Sequence, residues 1–96
     1  MTALSTIRQI LAQLKPELTE KYAVSSIGLF GSIVRDDFTP ASDIDIIVDF
    51  SKPIGIEFID LADFIEAKLQ KKIDLVSRKG IKPKYLQQIQ SEIIYV

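Results

Sequence analysis

The sequence contains no cysteine and no histidine. Without cysteine there is no disulfide, no thiolate nucleophile and no zinc–sulfur site. Without histidine the usual general base and the usual transition-metal ligand are missing as well. No apolar run approaches the ~18 residues of a membrane span, and the N-terminus lacks the apolar core of a signal peptide. The expectation is therefore a cytoplasmic protein with no membrane association. No charge of one sign dominates either: 12 basic residues stand against 13 acidic ones, a net of −1. That balance gives no global reason to expect direct nucleic-acid binding. Chemistry must run on carboxylates, hydroxyls, lysine, arginine and backbone amides. A metal, if used, would be an oxygen-loving one such as Mg²⁺.

What is present is an ordinary globular mix. Across 96 residues, 47% are apolar and 26% charged, enough to bury one core and too apolar for disorder. Charge is unevenly spread. From Asp36 to Glu66 nine acidic residues face Lys52 alone, whereas from Lys71 to Lys84 six basic residues face Asp74 alone. One reading is two solvated faces. The sharper one is a site for cations beside a basic wall that receives an anion or an acidic partner.

Leu4, Ile7, Ile10, Leu11 and Leu14 recur at helical spacing and predict a first helix, with Thr2 or Ser5 as its cap. Pro16 is expected to end or kink it, with one more turn over 17–21. The segment 24–30 reads as a buried strand, followed by Gly31-Ser32 and a short helix over 33–36. Residues 43–50, D-I-D-I-I-V-D-F, read as a second strand. Pro53 and Gly55 mark a loop. Ile56, Ile59, Leu61, Ala62, Phe64, Ile65 and Leu69 predict the strongest helix of the chain. Residues 72–77 read as a third strand, and Pro83 suits the start of a last helix reaching about Ser91, before a terminal apolar I-I-Y-V. The order predicts an α/β (α+β) fold, with a small three- to four-stranded sheet and helices in one unit over 1–96.

The feature to explain is a strand, then Gly31-Ser32, then ten residues, then Asp43-Ile44-Asp45. Residues two apart in a strand share a face and lie ~6.5–7 Å apart. Asp43 and Asp45 thus project together while Ile44 and Ile46 point to the core. Two such carboxylates repel unless a cation sits between them. Asp74 is the only acid in the basic segment, and a neighbouring strand ~4.8 Å away brings it to the same cluster. Three carboxylates around Mg²⁺ suit in-line attack on a nucleotide phosphate. Gly31 and Ser32, with an amide and a hydroxyl, are candidates for holding a phosphate, and Arg35 can add a charged contact. Arg35 can equally pair with Asp36, Asp37 or another acid. Asp36 and Asp37 read as residues ending the short helix, and Asp49 as a strand-end residue. Singly these motifs are common. Together, four fixed residues at fixed spacing arise by chance in roughly one chain in a thousand, at ordinary usage of ~5–7% each.

The stretch Gly28-Leu29-Phe30-Gly31-Ser32 through Ser42-Asp43-Ile44-Asp45-Ile46-Ile47-Val48 resembles the DNA polymerase β-like nucleotidyltransferase superfamily. Ile73-Asp74-Leu75-Val76 followed by Lys79 to Lys84, and the short length, look like its minimal nucleotidyltransferase (MNT) group. The resemblance implies a small mixed sheet flanked by helices. It implies Mg²⁺ at Asp43 and Asp45, Asp74 completing the triad, and contacts from Gly31 and Ser32 to the triphosphate of ATP. Members of the group are commonly antitoxins whose partner is a HEPN-domain ribonuclease toxin, to which they transfer AMP on a tyrosine. Many relatives have glycine after the motif arginine, where this chain has Asp36, a residue for which φ > 0 costs more. With no histidine, the expected base is a carboxylate, Asp74.

Two other readings compete with a protein adenylyltransferase. One is an antitoxin that masks its toxin without turnover, which would not need Asp43, Asp45 and Asp74. The other is a transferase for a small molecule or RNA, whose relatives usually carry a further domain that this length does not accommodate.

Overall fold

The computed structural model describes residues 2–35 and 37–96. Helix α1 spans Ala3–Tyr22 and strand β1 Val24–Phe30, followed by a 3₁₀ turn at Gly31–Val34. Strand β2 covers Ile44–Phe50, helix α2 Glu57–Leu69, strand β3 Ile73–Ser77 and helix α3 Pro83–Ile89. A 3₁₀ turn at Gln90–Glu92 leads into β4, Ile94–Tyr95. The strands form one mixed sheet in the order β3-β2-β1-β4. β1 runs antiparallel to β2 and β4, and β2 parallel to β3. The parallel pair needs a crossover, which α2 supplies.

Each face of the sheet follows from the alternation along its strands. Ile27, Leu29, Ile44, Ile46 and Val48 point one way and pack on Ile7, Leu11 and Leu18 of α1 and on Leu61, Ile65 and Leu69 of α2. Phe30 and Ile47 point the other way and are covered by Ile89, with Val76, Ile81, Leu86 and Ile93 around them. The second face is therefore only partly roofed, by the short α3 and the segment after it. Its uncovered part carries the acids.

Four expectations change. Pro16 does not end the first helix, which runs its full 20 residues with the proline inside. Proline gives up one backbone donor, but Pro16 and Ala12 are both exposed, so the freed Ala12 carbonyl faces water. Leu11 and Leu18, fully buried on either side of Pro16, anchor both halves of the helix to the core. Thr2 is the cap, its hydroxyl accepting from the Ser5 amide at 3.1 Å. Next, the turn after β1 begins at Gly31 itself, ends at Val34, and is 3₁₀ rather than α. Asp36 lies outside the described residues. Third, Ile56 and Ile59 do not belong to the buried stripe of α2; they are 79% and 62% exposed. The stripe is Leu61, Ile65 and Leu69, a strict four-residue repeat that Ile56 and Ile59 miss. Finally, the terminal apolar residues form β4, pairing Gly28 with Tyr95 and Leu29 with Ile94. Gly28 is what admits them: a Cβ there would stand 2.7 Å from Ile93 Cγ2 and 3.2 Å from the Tyr95 ring.

Pro16→Ala restores an intrahelical donor at an exposed position. It should raise stability by about 1–2 kcal/mol, the ~3 kcal/mol cost of an interior proline being partly offset by the freer unfolded chain. Urea unfolding checks this; a lower midpoint would mean that the helix relies on the proline.

Candidate active site

Parallel pairing of β2 with β3 places Asp45 directly beside Asp74, with Ile44 beside Ile73 and Ile46 beside Leu75. Because Ile44 and Ile46 are fully buried under α1 and α2, Asp45 and Asp74 must project from the opposite face. Asp43 immediately precedes β2 and shares that alternation. The predicted acidic triad thus meets at one end of the sheet, where both parallel strands begin. Asp43 and Asp74 are exposed and Asp45 is half-buried. Burial, then the neighbouring Asp74 and Asp43, push the Asp45 carboxyl up from its ordinary 3.8 to about 6; Arg35 opposes the rise and Glu92 adds to it. The site is thus more negative than its side chains tolerate without a counter-charge.

Gly31 follows Phe30, the residue paired with Asp45 across β1 and β2. Its φ of +75° lies in the left-handed region, and a Cβ there would collide with the Asp45 carboxylate. Glycine is required here for that contact, a reason different from clearance for a phosphate. Ser32 is half-buried beside it, its carbonyl accepting from the Arg35 amide at 3.1 Å. The exposed Arg35 guanidinium pairs with two acids: Nε lies 3.4 Å from Asp37 Oδ1, and Nη1 3.3 Å from Glu92 Oε2. Asp37, chiefly, and Glu92 raise its already high pKa.

Glu92 is the residue that the sequence does not reveal. Its Oε1 accepts from the Gly31 amide at 3.1 Å. The separation of 61 positions leaves no local spacing to find it by, and the only signal is an acid just ahead of the apolar C-terminal segment. The basic segment also divides differently from expectation. Lys71 and Lys72 line a cavity of about 230 Å³ with Asp43, Ser42 and Gln70. Lys79 instead joins Lys52, Phe50 and Ser77 in another cavity. Ser77 pairs with Val48, three residues along the strand from Asp74, or ~10 Å. The basic wall is therefore split between the two ends of β3. Asp49 is a strand-end residue, as expected, with Oδ1 accepting from the Phe50 amide at 2.9 Å. A larger cavity, about 480 Å³, lies against α1 and Tyr95–Val96 and contains none of the carboxylates.

The donor set suits a hard divalent cation: all oxygen, no nitrogen or sulfur. Among the described residues no group of three acids is placed to hold a metal ion as it stands. Asp43 and Asp74 make no side-chain hydrogen bond among those residues and are exposed, so rotation about their side-chain bonds is open to them. Asp45 is the anchored member, seated against Gly31.

The raised pKa has a consequence for stability. The folded chain holds the Asp45 proton up to about pH 6, whereas the unfolded chain releases it near 3.8. This contribution is complete below about pH 4 and is lost as pH rises through about 6. Discounted for the half-exposed carboxylate, it is worth on the order of 1 kcal/mol. Asp45→Asn should remove that pH dependence and stabilise the chelator-treated protein at pH 7. Thermal melts between pH 4 and 8 check it; a variant less stable than wild type at pH 7 would show that the repulsion is not there.

Comparison with known proteins agrees with this geometry. Residues 7–96 match the nucleotidyltransferase domain family. Protein adenylyltransferase MntA of Thermococcus cleftensis is 39% identical over 97 residues, spanning 100% of this chain and 98% of the relative. MJ0126 of Methanocaldococcus jannaschii, provisionally named a protein adenylyltransferase, is 40% identical over 98 residues, with full coverage of both chains. Among solved structures, one described as a minimal nucleotidyltransferase superposes with a TM-score of 0.80 at 26% identity, covering 98% of this chain and 95% of its own. An MntA–HpeT toxin–antitoxin structure shares the fold, with a TM-score of 0.67 at 22% identity over 96% of this chain and 70% of that one. With the paired carboxylates, the Gly-Ser turn and the mixed sheet in place, this chain belongs to the nucleotidyltransferase domain family.

Proposed function

We propose that this protein is a magnesium-dependent adenylyltransferase that moves AMP from ATP to a tyrosine of a partner protein, and that the partner is a HEPN-domain ribonuclease toxin for which it serves as antitoxin. The observation that carries the reading is the register pair Asp45–Asp74, with Asp43 beside it, on an uncovered sheet face. An antitoxin acting only by masking would not need three carboxylates there. The full-length similarity to MntA supports the activity, and the MntA–HpeT pair supports a toxin as partner.

In this reading Asp43, Asp45 and Asp74 hold Mg²⁺. The ion, when bound, neutralises charge on the triphosphate and acidifies a hydroxyl near it. The remaining work falls to the chain. The Ser32 hydroxyl and the Gly31 amide donate to phosphate oxygens, and Arg35 contributes charge. Asp74, exposed at the rim, takes the proton of the attacking tyrosine hydroxyl. The tyrosine oxygen bonds to the α-phosphorus, the bond to the bridging oxygen breaks, and pyrophosphate leaves. The site is an open face, which suits an acceptor that brings its own surface rather than a small molecule needing a closed pocket.

Incubation with ATP, Mg²⁺ and the toxin encoded beside this protein should add ~329 Da per AMP to the toxin. Asp43→Ala, Asp45→Ala or Asp74→Ala should abolish the increase, as should replacing the acceptor tyrosine by phenylalanine. Ser32→Ala, losing one charge-assisted hydrogen bond of about 1.5–3 kcal/mol, should slow transfer roughly ten- to a hundredfold. A toxin inhibited stoichiometrically with unchanged mass would establish masking instead.

A further inference from the structure

Glu92 is an acid aimed at acids. Its side chain is only 26% exposed, and it adds to the negative field on Asp45. A carboxylate in that position is costly unless donors compensate. Two do: the Gly31 amide at 3.1 Å from Oε1, and Arg35 Nη1 at 3.3 Å from Oε2. The contact is built rather than incidental, because Glu92 is held on both sides. Ile89, three residues before it, is buried against Phe30 and Ile47, and β4, two residues after it, is paired to β1. The two donors it occupies are the same groups that the nucleotide reading assigns to phosphate. Two anions cannot share one amide and one guanidinium without strong repulsion.

Resting on that nucleotide reading, we propose that Glu92 is a specificity-determining residue. It is an internal anion seated on the phosphate-binding groups, displaced by a polyphosphate but not by a single phosphate. A triphosphate brings several charged oxygens to Ser32, Gly31 and Arg35 and outcompetes one carboxylate. Orthophosphate brings too few. The seat is thereby kept closed to the abundant small anions, and Arg35 is held toward the site while it is empty. Displacement requires only rotation of the Glu92 side chain, since its backbone is fixed by the flanking elements.

The test is anion binding by calorimetry in chelator, with inorganic tripolyphosphate and orthophosphate as probes, on wild type, E92Q, R35Q and the double variant. E92Q should bind tripolyphosphate about tenfold more tightly, as expected for one like charge removed a few ångströms away, and orthophosphate binding should become measurable. The gain should shrink in the R35Q background, because Arg35 is one of the two contested donors and the Gly31 amide remains. Tripolyphosphate binding by E92Q alone would show that Glu92 blocks the seat without being displaced, and would overturn the proposal. Wild-type binding that E92Q leaves equal or weakens would overturn it while sparing the nucleotide reading. No binding by either protein in chelator would overturn the proposal, whereas the nucleotide reading stands or falls on AMP transfer with Mg²⁺ present. Carbon-13 shifts of the Glu92 side chain in the wild type give an answer independent of variant folding. They should move on saturation with tripolyphosphate, and unmoved shifts at saturation would refute displacement.

Discussion

Repulsion between carboxylates held side by side is the constraint around which this molecule is arranged. The parallel register of β2 and β3 leaves Asp45 and Asp74 no choice of neighbour, and the burial of Ile44 and Ile46 leaves them no other face. A one-residue slip of β2 would turn Asp45 into the α1/α2 core and bring Ile44 and Ile46 out. The apolar core thus enforces the electrostatic tension on the far side of the sheet. The Asp45 carboxyl registers it: burial first, then the neighbouring Asp74 and Asp43, push it to about 6. Protonation of Asp45 relieves that tension below about pH 6, and a cation would relieve it above.

The surrounding residues are arranged by the same constraint. Gly31 stands at φ +75°, and a side chain there would also occupy the space of the Asp45 carboxylate. α3 covers Ile47 and Phe30 but stops short of the acids, leaving an open rim for an incoming substrate. β4 closes the opposite edge of β1 and delivers Glu92 to Gly31 and Arg35. A short C-terminal segment therefore serves both the sheet and the site. Family membership fixes the reaction class, nucleotidyl transfer; the open rim and the split basic segment bear on which acceptor reaches it.

Strong local periodicity made most of this legible in the sequence. The stripe in α1, the alternation in D-I-D-I and the apolar 24–30 segment each depend on neighbours within a few positions, and each element stands where the pattern predicted. The acidic triad was readable for the same reason, since Asp43 and Asp45 share a face by spacing alone and Asp74 needs only an adjacent strand. What escaped was decided at long range or by solvent. Pro16 sits inside α1 because its side of the helix faces water and the core grips both flanks. Ile56 and Ile59 looked like core residues, yet the helix begins after one and rotates the other outward. Glu92 reaches Gly31 across 61 positions through the pairing of β4, which a two-residue strand hardly signals.

On this reading, cation and nucleotide meet on the face that carries Asp43, Asp45 and Asp74. The most direct measurement is anomalous diffraction from crystals grown with Mn²⁺, as a heavier substitute for Mg²⁺, and a non-hydrolysable ATP analogue. An anomalous peak should lie within ligand distance of Asp45 and at least one of Asp43 and Asp74, ~2.0–2.3 Å from their oxygens, with the phosphates against Gly31 and Ser32. A manganese peak elsewhere on the molecule, with the nucleotide ordered away from these carboxylates, would contradict it.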